Sequence, residues 1–97
     1  MIIVALEILE EFALKHAEAR KSIIAWKSDV KQAIWESKQD VLHDFPQATM
    51  IANNRTRFEI VHNVYRLIIK IDYDDQIVEA RFIGTHNEYG RIDPEKI

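Results

Sequence analysis

The sequence predicts an α+β fold in which N-terminal helices pack on one face of a twisted, mainly antiparallel β-sheet. Apolar residues recur every three or four positions from Leu6 to Ile34, the spacing of one helical face. From Arg55 to Ile83 apolar and polar residues alternate instead, in three runs parted by short polar connections. The length of 97 residues, with 47% hydrophobic and 30% charged content, suits one domain over residues 1–97 and leaves no room for a second core.

Ile2 to Val4 is β-branched and apolar, and reads as a short first strand. Leu6, Leu9, Phe12, Ala13 and His16 then take up helical spacing, in a helix that ends near His16. A second helix starts at Ala17 or Glu18 and carries Ile23, Trp26, Val30, Ala33 and Ile34 on its inner stripe. The pair reads as a helical hairpin laid on the sheet. Trp26 fits the core, whereas Trp35 falls on another helical face and reads as an edge residue or one covered by a partner.

Ser37 to Asp40 pairs an N-cap with an acidic residue in the first turn, introducing a short helix through Val41, Leu42 and Phe45 that Pro46 stops. Thr49 to Ala52 reads as a strand. Asn53 and Asn54 make a turn into Arg55, because asparagine tolerates positive φ.

In the first run of the meander, Phe58 and Ile60 face away from Arg55, Arg57 and Glu59. In the second, Tyr65, Leu67, Ile69 and Ile71 oppose Arg66, Ile68 and Lys70. In the third, Val78, Ala80 and Phe82 oppose Ile77, Glu79, Arg81 and Ile83. With hairpin turns at His62–Asn63 and Asp72–Asp75 the polar faces coincide, so that Arg55, Arg57, Arg66, Lys70 and Arg81 converge. Such a face suits a polyanion. It equally suits plain solubility, and the pattern leaves both readings open. Gly84 breaks the alternation, after which His86 to Tyr89 make one helical turn capped by Gly90, with His86 and Tyr89 on one side.

Composition narrows the chemistry. Cysteine is absent and the four histidines lie scattered, without the spacing of a metal-binding helix, so no metal or other cofactor is expected. The apolar start meets Glu7, Glu10 and Glu11 at once, which fits neither a signal peptide nor a spanning helix, so the expected location is the cytoplasm with no membrane partner. Net charge is −3, spread evenly: 6 basic and 8 acidic groups in residues 1–48, 7 and 8 in residues 49–97. Broad, non-specific affinity for nucleic acid is therefore not expected.

Arginines, a lysine, a histidine and a tyrosine without metal ligands suit metal-independent RNA cleavage. There the 2′-hydroxyl attacks the adjacent phosphorus, which calls for a proton acceptor, cations for the growing phosphate charge and a donor to the departing 5′-oxygen. His86 is the best acid or base, since an unperturbed imidazole titrates near neutrality. Arg66, Arg81 and Lys70 would hold phosphate charge, and Tyr89 would stack on a base or orient the phosphate. A solvated loop histidine and a tyrosine that anchors the tail on the core are the plainer readings. His16, His43 and His62 have no visible companions and read as structural.

Over nearly its whole length the chain resembles the HigB toxins of bacterial toxin–antitoxin systems, within the wider RelE-like group. The resemblance is carried by Leu9–His16 with Ala25–Trp26, by Asn53–Arg55, by Tyr65–Ile68, and by Arg81–Tyr89 followed by Arg91–Asp93. It implies a RelE-like fold and a metal-free, ribosome-dependent endonuclease acting on mRNA. A HigA-like helix-turn-helix antitoxin would hold it inactive and repress the shared operon, so that DNA is met only through the antitoxin. By position, Arg66 matches the family's phosphate-binding arginine, His86 falls near a second catalytic cation, and Tyr89 matches a late aromatic residue. Arg55, Arg57, Lys70 and Arg81 are supporting RNA contacts.

Two departures stand out. His62–Val64 occupies the turn where related sequences often have glycine, asparagine and lysine, and Gly90 stands where aspartate often follows the Glu-Tyr pair. The missing lysine and the negative charge motivate two alternatives: a non-catalytic module that binds a protein target, as ParE-like relatives bind gyrase, and an inactive relative that still binds antitoxin.

Overall fold

A computed structural model describes residues 1–97. Strand β1 (Ile2–Val4) leads into helix α1 (Leu6–Lys15), a 3₁₀ turn (Ala17–Ala19), α2 (Arg20–Gln32) and α3 (Lys38–Asp44). Strands β2 (Thr49–Ile51), β3 (Arg55–Ile60), β4 (Tyr65–Asp72) and β5 (Ile77–Thr85) follow, and α4 (His86–Tyr89) is the last element. The five strands form one sheet in the order β1-β5-β4-β3-β2, antiparallel except where β1 runs parallel to β5. The α+β reading holds.

The helices close one face of the sheet. Leu9 and Phe12 from α1, and Ile23, Trp26 and Val30 from α2, pack with Phe58, Leu67, Ile69, Ile71 and Val78 in one buried cluster. Fully burying a Val, Leu, Ile or Phe side chain contributes about 1.5–3 kcal/mol before the conformational entropy of ordering it is counted. Ile34 leaves the expected stripe and is 73% exposed, because α2 stops at Gln32 and Ala33 turns to extended backbone (φ −75°, ψ 150°). The same turn carries Trp35 inward. It is fully buried rather than at an edge, and its indole N–H donates to Asp44 Oδ2 at 2.9 Å. Ser37 is the N-cap of α3 but its hydroxyl makes no capping bond; Asp40 instead accepts from the Glu36 amide at 2.8 Å.

The turns follow the residues that allow them. Asn53 and Asn54 both take positive φ. The β3–β4 connection starts one residue earlier than His62–Asn63: Val61, His62 and Asn63 are all left-handed, and Val64 N–H donates to the Val61 carbonyl at 3.0 Å. A left-handed valine costs roughly 1–2 kcal/mol, since its Cβ crowds the carbonyl.

Strand β5 departs from the expected alternation. The pairing with β4 shifts between Ile68 and Ile69, opposite Phe82 and Ala80, so that Arg81 is an extra, unpaired residue. This bulge moves Phe82 to the outer face and Ile83 into the core, the reverse of simple alternation. Gly84 does not end the strand, which continues to Thr85.

Candidate functional site

The sheet face opposite the helices carries a cluster built by three elements. Arg57 and Glu59 stand two residues apart on β3 and so share a face. Cross-strand pairing sets Glu59 opposite Arg66 of β4 and Arg66 opposite Gly84 of β5. Helix α4 then turns His86 and Tyr89 back over these residues. Its start is fixed by a capping box: the Thr85 hydroxyl accepts from the Glu88 amide at 3.2 Å, and Glu88 Oε1 accepts from the Thr85 amide at 2.9 Å.

Glu59 is the hub. Its Oε1 lies 3.3 Å from Arg57 Nε and 3.6 Å from Arg66 Nε, and its Oε2 lies 3.8 Å from His86 Nε2. Tyr89 completes the group. Arg66 sits over its ring, 4.7 Å from the centroid, and Arg57 lies 5.5 Å from the same centroid while donating to the Tyr89 hydroxyl at 3.4 Å. Arg57 also donates to Thr49 at 3.3 Å.

The ion pairs are close but poorly aligned. Arg57 Nε, Arg66 Nε and Glu59 Oε2 are buried and make no hydrogen bond. Buried polar groups left unpaired cost free energy, and here three such atoms lie at one spot. Two guanidinium N–H groups with free directions suit the oxygens of a phosphate. The carboxylate beside an imidazole supplies a proton acceptor and a proton donor within one site.

Of the residues singled out in sequence, Arg57, Arg66, His86 and Tyr89 come together. Arg55 does not join them: its Nε and Nη2 donate to the Ile97 carbonyl at 3.1 and 2.5 Å, and its Nη1 to the Asn53 carbonyl at 2.8 Å. Lys70 shares the outer face but stands four residues beyond Arg66, about 13 Å along the strand. Arg81, displaced by the bulge, is engaged by Glu79 at 3.1 Å. Glu59 is the member that sequence reasoning passed over. Its signal was present, for it alternates in phase with two arginines on a face otherwise read as cationic.

A separate cluster ties the helices to the sheet. The buried Tyr65 donates its hydroxyl to Glu18 and lies 3.2 Å from His16 Nδ1, while His16 stacks on Phe12. The bond to Glu18 raises the Tyr65 phenol above its ordinary range and lowers the Glu18 carboxyl. His16 thus has companions, and its contacts are structural. A cleft of about 480 Å³ between α2, residues 44–48 and the free edge of β3 takes in only Glu59 of the cluster. No group of three or more histidine, cysteine or acidic side chains is gathered to hold a metal ion.

The family model of the HigB toxins, RelE-like toxic components of toxin–antitoxin systems, matches residues 19–92. The chain belongs to that family. The match runs from the start of α2 through α4 and includes every member of the Glu59 cluster. As a HigB-family chain it is the toxin of a toxin–antitoxin pair, and an antitoxin is its partner. No curated protein matches the chain closely enough to count as a relative. No helix is long and apolar enough to cross a membrane.

Proposed function

We propose that this HigB-family toxin is a ribosome-dependent, metal-independent endoribonuclease that cuts translated mRNA. The observation that carries the reading is Glu59, held by two arginines beside His86 and Tyr89 with its own oxygen and both Nε groups unpaired. Glu59 takes the proton of the 2′-hydroxyl as that oxygen bonds to phosphorus. His86, protonated, gives its proton to the 5′-oxygen as the P–O5′ bond breaks, leaving a cyclic phosphate and a 5′-hydroxyl. The scissile phosphate enters between Glu59 and His86 and parts the 3.8 Å pair. Arg57 and Arg66 turn from Glu59 to the phosphate and stabilise its growing charge. Tyr89 orients the phosphate or stacks on a base.

Dependence on the ribosome follows from charge. At a net −3 the chain has little pull on free RNA, whereas mRNA already placed in a ribosome needs only local contacts. A HigA-like helix-turn-helix protein is the proposed antitoxin, and it alone touches operator DNA. The test is to map mRNA 5′ ends after brief induction without antitoxin, comparing wild type with Arg66→Ala and His86→Ala. New ends inside translated codons that vanish in both variants are expected. Growth arrest with intact mRNA would sink the proposal and direct the search to a protein target.

A further inference from the structure

Beneath the cluster, the outer face carries a small apolar layer of its own. Ile68 is completely buried yet lies outside the main core, and its cross-strand partner is Phe82, brought to this face by the bulge at Arg81. The Phe82 ring lies 6.3 Å from the Tyr89 ring, tilted by 51°. Two residues on, Gly84 occupies the same face opposite Arg66.

The backbone does not demand glycine there, since no glycine in the chain has positive φ. Space does. A Cβ at position 84 would stand 2.7 Å from Phe82 Cζ and 3.1 Å from Glu88 Oε1. The first is the tip of the ring that backs Tyr89. The second belongs to the carboxylate that closes the capping box of α4. One missing methyl therefore gives room to both supports of the helical turn that carries His86 and Tyr89.

We infer that Phe82 and Gly84 are positioning residues, a ring and the gap it fills, that set where α4 holds His86 and Tyr89 over Glu59 and Arg66. The inference rests on the cleavage reading for its functional consequence, though not for its geometry. Gly84→Ala pushes the Phe82 ring and the Glu88 carboxylate aside and shifts α4. A displacement near 1 Å at reacting groups costs about 100-fold in rate. Leucine at position 82 keeps an apolar side chain on Ile68 but lacks the ring tip, so it relieves the clash.

The test compares wild type, Gly84→Ala and the double variant Gly84→Ala/Phe82→Leu. It reads ribosome-coupled cleavage as separate kcat and KM, together with amide and imidazole NMR signals of residues 86–89. The expected result is an about 100-fold fall in kcat for Gly84→Ala with KM little changed, displaced signals for residues 86–89, and recovery of at least tenfold in the double variant. Wild-type signals and rates in Gly84→Ala would overturn the inference, as would a double variant no better than the single one. If Gly84→Ala does not fold, restored folding in the double variant reads the same clash, and its failure overturns the inference. If wild type itself leaves mRNA intact, the cleavage reading falls, while the NMR signals still decide the positioning.

Discussion

Glu59 changes what the outer face is. Without it the two arginines would repel across the strands; with it they are drawn to a common carboxylate and their planar groups are held over Tyr89. Glu59→Gln keeps the shape and removes the proposed proton acceptor. The expected outcome is a loss of about 10²–10⁴ in cleavage rate, the usual contribution of a positioned acid or base, and a lower denaturation midpoint, because the two arginines lose their common counter-charge. Single-turnover cleavage on programmed ribosomes measures the first, and urea unfolding the second. Cleavage measured well below the unfolding midpoint separates a folded variant that lacks the proton acceptor from one that has lost its structure.

Helix α4 is short, and its order depends on its cap rather than on helix propensity. The Thr85 amide, which donates to the Glu88 carboxylate, and then the Thr85 side chain beside it hold the Glu88 carboxyl below its ordinary range. A carboxyl lowered in the folded state contributes stability above its unfolded pKa and loses it as pH falls through the folded value. The cap therefore holds at neutral pH and lets go in acid, below the ordinary glutamate range. Thr85→Ala removes the hydroxyl arm, at a local cost of about 1 kcal/mol. Faster amide exchange confined to residues 86–89, with cleavage reduced and the strands still protected, is the expected result. Uniform loss of protection would place the cap in global stability instead. The bulge at Arg81 acts through the same element, because it supplies the ring on which Tyr89 leans.

The layers divide the labour between stability and chemistry. One sheet face is sealed by α1 and α2; the other is left open to α4 and the polar cluster. Leu67, fully buried at the centre of β4, links them, since its neighbour Arg66 points the opposite way. Leu67→Ala is expected to cost about 2–5 kcal/mol, a large share of the roughly 5–15 kcal/mol of a typical domain. Chemical denaturation checks this, and antitoxin binding in cells should fall with it. A loss below 1 kcal/mol would mean that the core is looser than its packing implies.

Much of this was legible from pattern. Alternation in β3 and β4 placed Arg57 and Arg66 on one face, helical spacing placed Leu9, Ile23, Trp26 and Val30 against the sheet, and Asn53–Asn54 declared a turn. These are local properties: side chains alternate along a strand and recur along a helix whatever the rest of the chain does. Register, long-range contacts and chain reversal are not local. An extra residue in β5 exchanged the faces of Phe82 and Ile83, because a one-residue slip reverses every side chain beyond it. The end of α2 drew Trp35 inside, and the last residues of the chain engaged Arg55. The amino-acid order alone determined which faces are apolar and which are basic; packing in three dimensions decided that the basic face closes on Glu59, since only strand pairing and the cap of α4 set those five side chains at contact distance.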